Sequence, residues 1–89
     1  MIGNIVFSKC GHDKNEIFII VNQDESYYYL VDGKKRLINK PKKKKFKHVQ
    51  VTNFCCNEVV LKLNAKGCLD SDIRNAIKSY KERDKFVKG

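Results

Sequence analysis

The chain has no long hydrophobic run. None of its apolar stretches approaches the roughly 18 residues that a membrane span requires. The amino terminus, MIGNIVFSKCGHDKN, has no basic segment followed by an apolar one, so no signal peptide is evident. We therefore expect a cytoplasmic protein with no membrane partner, whose four cysteines are reduced.

The patterns that hold metals or support catalysis are also missing. Cys55, Cys56 and Cys68 lack the paired spacing of zinc ligands, and only His12 and His48 could complete a site. Neither histidine accompanies a nucleophile and a third group, and no glycine-rich phosphate-binding motif is present. We expect no metal, no cofactor, no catalytic residue and no small-molecule substrate, which describes a protein that is not an enzyme.

Acidic residues are absent from positions 34–48, although the chain has ten of them. The same window carries nine cations, whereas residues 1–33 have a net charge of −3 and residues 49–89 of +3. The net charge of the whole chain, +9, therefore equals the charge of this window alone. Such a concentration predicts a partner with dense negative charge.

The first part of the chain predicts short strands joined by tight turns. We expect strands at 4–9, 16–22, 27–32, 34–38 and within FKHVQV, residues 46–51. Asp32-Gly33 is typical of a type I′ hairpin turn, and Pro41 should stop regular pairing. The lysine run at 40–48 is then a loop projecting from the sheet, which Phe46 anchors to the core. Five short strands favour a small closed antiparallel barrel.

The last part of the chain predicts helix. Ile73, Ile77 and Tyr80 recur at helical spacing, which predicts a helix over about 71–85 with Asp70 as its N-cap. The apolar face of this helix should pack on the barrel or dock a partner. The predicted fold is mainly β, with a five-stranded barrel over residues 1–53 and an α-helical extension over residues 54–89.

Residues 57–67 are ambiguous. Asn57 could cap a helix and Gly67 could end one, whereas the consecutive residues 59–61, Val-Val-Leu, favour a strand. We prefer a short helix here and keep the strand as the alternative.

Two segments carry a resemblance to a known family. IGNIVFSKCGHDKNEIFIIV resembles the KOW motif of nucleic-acid-binding proteins, in which a glycine-containing loop joins two strands. YYYLVDGKKRLINKPKKKKFKHVQVTN is similar to the second half of a KOW family related to large-subunit ribosomal proteins of archaea and eukaryotes. The resemblance covers about residues 2–53. It implies an SH3-like barrel and RNA binding at the ribosome.

The turn between the first two strands departs from the family at one position. The family usually has glycine where this chain has Asn15, whereas Gly11 matches. Asparagine is the residue, after glycine, that best tolerates the left-handed backbone, so the loop is expected to keep its shape. Backbone amides of this loop, with Lys14 and His12, are expected to bind phosphates.

RNA is the predicted partner, most specifically ribosomal RNA, with ribosomal proteins as further neighbours. Tyr28 should face away from Tyr27 and Tyr29 and stack on an unpaired base, or else pack in the core. The predicted RNA-binding residues are Lys9, Gly11, His12, Lys14, Asn15, Tyr28, Lys34, Lys35, Arg36, Lys40, Lys42, Lys43, Lys44, Lys45, Lys47 and His48.

Three other classes of function remain open at this point. The basic segment could hold an acidic protein, since SH3-like barrels also bind peptides. KOW domains also occur in transcription, so DNA is a second possibility. Peripheral membrane binding is a third, although the chain has no lipidation motif and no basic amphipathic helix.

Overall fold

The computed structural model describes the backbone of residues 1–88 and the side chains up to Arg83. Five strands come first and two helices follow, in keeping with the predicted order. The strands are β1 (Asn4–Ser8), β2 (Ile17–Gln23), β3 (Tyr27–Val31), β4 (Lys42–Lys45) and β5 (Val49–Cys55); a single 3-10 turn (Phe46–His48) precedes β5, and the helices are α1 (Asn57–Asn64) and α2 (Asp70–Lys88). No helix of the described part of the chain is long and apolar enough to cross a membrane.

All five strands belong to one antiparallel sheet, in the order β4-β3-β2-β1-β5. Strands β4 and β5 lie at its two edges, and within the described residues they do not pair with each other. The predicted number and antiparallel arrangement of the strands are confirmed. The sheet itself is open.

Both helices cover one face of the sheet. There Ile5, Ile19 and Val31 pack against Val59 of α1 and Ile73 of α2, and all five are buried. The prediction that the C-terminal helix packs on the strands is therefore confirmed. Both helices therefore contribute buried side chains to the same core as the strands.

The opposite face of the sheet folds onto itself. Val6, Phe18 and Tyr28 form a second buried cluster with Val49, and Phe46 packs against it. Tyr28 lies on β3 and Val49 on β5, with two strands between them in the sheet. Because these distant strands share one cluster, the sheet must curve strongly. The predicted anchoring role of Phe46 is confirmed, since its ring centroid lies 4.3 Å from that of Tyr28.

The start of α2 differs in detail from the prediction. Asp70 is helical and does not cap, because its Oδ1 accepts the backbone N–H of Ile38 at 2.8 Å. Asp72 performs the capping, with its Oδ2 accepting the N–H of Leu69 at 2.9 Å. The helix begins one residue earlier than predicted and continues beyond 85. Residue 89 lies outside the described residues.

The ambiguous segment is a helix. Asn57 is its first residue, in α1, so it is not the cap; Cys56 occupies that position. Gly67 does not supply the left-handed residue at the end either. Lys66 adopts φ +58° instead, and the N–H of Gly67 then bonds to the Lys62 carbonyl at 2.8 Å. This is a helix-terminating motif in which lysine occupies the position that glycine prefers.

The predicted hairpin after β3 is wrong. Residues 34–38 do not form a strand, since Oδ1 of Asp32 accepts the backbone N–H groups of Lys34, Lys35 and Arg36. A carboxylate that satisfies three consecutive amides favours a compact loop over a strand ladder. The strand that pairs with β3 is β4, which begins directly after Pro41. Proline is tolerated at such an edge.

Candidate nucleic-acid interface

Strand β4 consists of four lysines, and successive side chains of a strand point to opposite faces. Lys43 and Lys45 are exposed, and they pair across the strands with Tyr29 and Tyr27. Lys44 points to the other face and is 9% exposed. The prediction that residues 40–48 form a projecting loop is therefore wrong. The run is an edge strand with one outer and one inner set of lysines.

The inner lysines meet a buried carboxylate. Lys44 Nζ donates to Oδ1 of Asp13 at 2.7 Å and to the carbonyl of Cys10 at 2.9 Å. Lys42 Nζ donates to the other oxygen of Asp13. Oδ1 also accepts the hydroxyl of Ser8 at 2.7 Å. Lys44 is therefore held in an internal ion pair and is not exposed as the predicted phosphate contact. Lys42 shares the same single carboxylate, so the two lysines and Asp13 together keep one net positive charge.

The carboxyl group of Asp13 is ionised with a pKa well below its ordinary value. Burial by itself raises this pKa, but hydrogen bonds from Lys42, Lys44 and Ser8 lower it by more. The carboxylate therefore acts as a fixed negative charge between the β1–β2 loop and β4. It fastens these two segments together.

The β1–β2 loop keeps the expected backbone. Gly11 and Asn15 have φ values of +86° and +72°, which confirms that Asn15 adopts the left-handed conformation. The amides of Lys14, Asn15 and Glu16 donate to carbonyl oxygens of Gly11, Ser8 and Asp13. These three amides are therefore occupied by bonds within the loop and β1. The side chains of Lys9, His12 and Lys14 are exposed.

Tyr28 faces away from Tyr27 and Tyr29 as predicted, and of its two expected roles the structure shows core packing, so its choice as an RNA-binding residue is wrong. Its side chain is 9% exposed and belongs to the curved core, because β3 places alternate residues on opposite faces. Tyr27 and Tyr29 take the outer face and are half-buried. The Nζ of Lys43 lies 4.3 Å from the ring centroid of Tyr27, and Tyr29 O–H donates to Asp24 at 2.8 Å.

Most of the predicted cations of the basic segment are exposed. They are Lys34, Lys35, Arg36, Lys40, Lys43, Lys45 and Lys47. Lys35 lies 3.8 Å from the carboxylate of Glu16, whereas the other six have no ion-pair partner within the described residues. His48 is half-buried at the end of the 3-10 turn. We call these seven exposed cations the basic surface.

A cleft of about 320 Å³ joins the β1–β2 loop to the loop after β3. His12, Lys35, Arg36 and Lys42 line it together with Asp13. The fold thus brings together predicted residues from three separate parts of the sequence. Glu16 and Asp32 also line this cleft, so its charge is mixed.

Several residues of the site were not predicted from the sequence. The structural role of Asp13 could not be foreseen, because its lysine partners lie about thirty positions away. The sequence separated Tyr28 from Tyr27 and Tyr29 but left open which side faces the core, so Tyr27 and Tyr29 were not named as site residues. Assigning residues 42–45 to a strand, whose side chains alternate between two faces, would have distinguished the inner lysines from the outer ones.

The four cysteines are free thiols, and only Cys56 is buried. Burial raises the pKa of the Cys56 thiol to about 11, and the neighbouring Cys55 adds to the shift. Among the described residues, no three of the His, Cys, Asp and Glu side chains are grouped closely enough to hold a metal ion.

The exposed cations, with Tyr27 and Tyr29 beside them, are the candidate functional residues of the described part of the chain. No protein-family model matches the chain, and no curated protein matches it either.

Proposed function

We propose that this protein is a non-enzymatic, cytoplasmic RNA-binding domain. One observation carries the proposal. After Asp13 has paired with Lys42 and Lys44, seven of the fifteen residues at positions 34–48 remain as exposed cations, and six of these have no carboxylate partner in the described part of the chain.

Mutual repulsion makes this arrangement costly for the isolated protein. Alternate residues of a strand, such as Lys43 and Lys45, are only about 7 Å apart along the chain. That spacing is shorter than the screening length of about 8 Å at physiological salt, so the charges act on one another. Phosphates relieve this repulsion and release their condensed counterions, which is the main source of nucleic-acid affinity.

The outer tyrosines favour RNA with unpaired bases. Tyr27 and Tyr29 lie on the same face as Lys43 and Lys45, so a half-exposed aromatic strip borders the cations. Proteins recognise RNA largely through unpaired bases that stack on aromatic side chains, while cations hold the adjoining phosphates. A duplex offers phosphates but no free base faces.

We further propose that the curved sheet is an SH3-like barrel of the KOW type, and that the RNA is ribosomal. The left-handed Gly11 and Asn15 between β1 and β2 support the first part, as does the core shared by Tyr28 and Val49. The resemblance of residues 2–53 to ribosomal KOW proteins supports the second.

The test is the salt dependence of binding to a hairpin RNA with a duplex stem and an unpaired loop. Five or six phosphate contacts predict a slope of about −4 to −5 for log affinity against log salt. The variant Lys43→Gln/Lys45→Gln should lose about 1.5 from the magnitude of this slope. Lys66→Gln is the control, since Lys66 is exposed in the α1–α2 connection.

The opposite results identify the alternatives. A DNA duplex of the same stem sequence that competes as well as the RNA would assign the basic surface to DNA. Equal, weak and salt-independent binding by wild type and variant would remove nucleic acid as the partner. An acidic protein would then be the partner to seek.

A further inference from the structure

A groove separates α2 from the loop that follows β3. Lys34 and Lys35 lie on the loop side, and Lys78 and Lys81 lie on the helix side. Ile77 forms part of its floor. The groove has two adjoining parts of about 390 and 310 Å³, which is within the size range of ligand-binding clefts.

The two walls of the groove are held in place by direct contacts. Arg74 Nη1 donates to the carbonyl of Gly33 at 2.6 Å, and Asp70 accepts the N–H of Ile38 at 2.8 Å. Gly33 is buried so closely against the helix that an added Cβ would lie 2.5 Å from the Asp70 carbonyl oxygen. The groove is therefore preformed, and a ligand would not have to order it.

The charge of the groove is positive. Five cations and two carboxylates line its two parts, which leaves an excess of three positive charges. Asp32 already accepts three backbone N–H groups, and Glu16 lies 3.8 Å from Lys35. Both carboxylates are thus partly compensated, whereas Lys78 and Lys81 have no ion-pair partner within the described residues.

The groove is continuous with the basic surface. Lys35 lines the larger part of the groove and also the cleft that contains His12, Arg36 and Lys42. A polyanion lying on the edge strand can therefore pass along the loop to α2 by way of Lys35, at a junction that Glu16 and Asp32 also line.

We infer that α2 forms the second wall of the RNA site, and that this groove holds a ribose-phosphate segment of the RNA already bound at the basic surface. Lys78 and Lys81 contact its phosphates from the helix side, and Lys34 and Lys35 contact them from the loop side. The inference rests on the proposed function and extends it to a helix that the sequence predicted to pack on the barrel or dock a partner through its apolar face.

The first experiment removes the helix cations. With the hairpin RNA described above, Lys78→Gln/Lys81→Gln should lower the magnitude of the salt slope by about 1.5, whereas Lys66→Gln should leave it unchanged. Lys78, Lys81 and Lys66 are all exposed, so these variants should fold as the wild type does. Equal urea midpoints would verify this.

A matched pair of variants tests the groove by a gain of binding. Glu16→Gln and Glu58→Gln both raise the net charge by one, but only Glu16 lines the groove. Glu16→Gln should tighten hairpin binding several-fold more than Glu58→Gln does. Because Glu16 also lines the cleft of the basic surface, the gain should shrink when Lys78 and Lys81 are changed to Gln as well.

Failure of this inference is distinguishable from failure of the proposed function. If wild type binds and Lys43→Gln/Lys45→Gln weakens it, but the α2 variant binds as wild type and the two glutamate variants behave alike, the groove plays no part. If wild type does not bind the hairpin at all, the proposed function and this extension of it are both wrong.

Discussion

Lys44 of the edge strand β4 and Asp13 of the β1–β2 loop form a buried ion pair, with Nζ and Oδ1 2.7 Å apart and each side chain 9% exposed. The partners are 31 positions apart in the sequence. The lysine run therefore has two separate roles. Its inner residues fasten β4 to the loop, and its outer residues, Lys43 and Lys45, remain exposed.

Breaking this pair should destabilise the fold. Lys44→Gln removes one of the two ammonium partners of a buried carboxylate, so it should cost less than the roughly 3–5 kcal/mol lost when a buried charge is left uncompensated, but clearly more than a surface change. Lys45→Gln alters an exposed neighbour on the same strand and should change the free energy of unfolding little. Urea unfolding of the two variants measures the difference. Equal midpoints would contradict the assignment of inner and outer lysines.

The same network predicts how stability depends on pH. The pKa of Asp13 is lowered in the folded state, so its contribution is complete above the unfolded value of about 3.9. The contribution is lost as the pH falls from there toward the folded pKa. Asp13→Asn should be less stable than wild type at pH 7, and its stability should fall less steeply below about pH 4. Urea midpoints measured across this pH range test the prediction, which parallel curves would contradict.

The apolar elements of this fold could be predicted from the sequence because their pattern is local. The run that forms β2 places Phe18 and Ile20 in one core and Ile19 in the other, and Ile73 and Ile77 mark the buried side of α2. Each of these assignments depends on side chains only a few positions apart.

The basic edge could not be predicted in the same way. Four identical lysines carry no alternation of polarity, so the period of two that marks a strand is hidden in Lys42–Lys45. After Asp32 the chain forms a loop and not a hairpin, because the Asp32 side chain accepts three backbone N–H groups. These contacts compete with strand pairing. The error there moved β4 by several residues.

Replacing Gly33 even with alanine should destabilise the protein. The φ of +79° at Gly33 costs about 1–2 kcal/mol for any other residue, and an added methyl group would collide with the Asp70 carbonyl. Gly33→Ala should therefore lower the free energy of unfolding by about 2 kcal/mol or more. Gly67→Ala is the matched control, since nothing lies within 4 Å of its added Cβ. Thermal unfolding of both variants decides the matter, and similar losses would exclude close docking of α2 on the loop.

At Lys66, in contrast, a change to glycine should stabilise the protein. Lys66 adopts φ +58° at the end of α1, where glycine avoids the steric cost of a side chain. Lys66→Gly should raise the free energy of unfolding by about 1 kcal/mol, and Lys66→Ala should not. Urea unfolding would show this as a higher midpoint for the glycine variant alone. A lower midpoint for it would mean that the lysine side chain stabilises the connection.

Variants of two tyrosines of β3 should distinguish a residue that binds RNA from one that packs in the core. Tyr27→Leu removes a half-exposed ring beside Lys43, whereas Tyr28→Leu removes a buried ring from the curved core. Stacking of one base on an aromatic side chain contributes about 1–3 kcal/mol, so Tyr27→Leu should weaken binding to the hairpin RNA by about fivefold or more. The same variant should bind a fully paired RNA as wild type does, because the bases of a duplex offer no free face.

Tyr28→Leu should instead lower the unfolding midpoint and leave the affinity of the folded protein unchanged. An equal loss of affinity for paired and unpaired RNA on changing Tyr27 would show that the outer face of β3 binds phosphate alone.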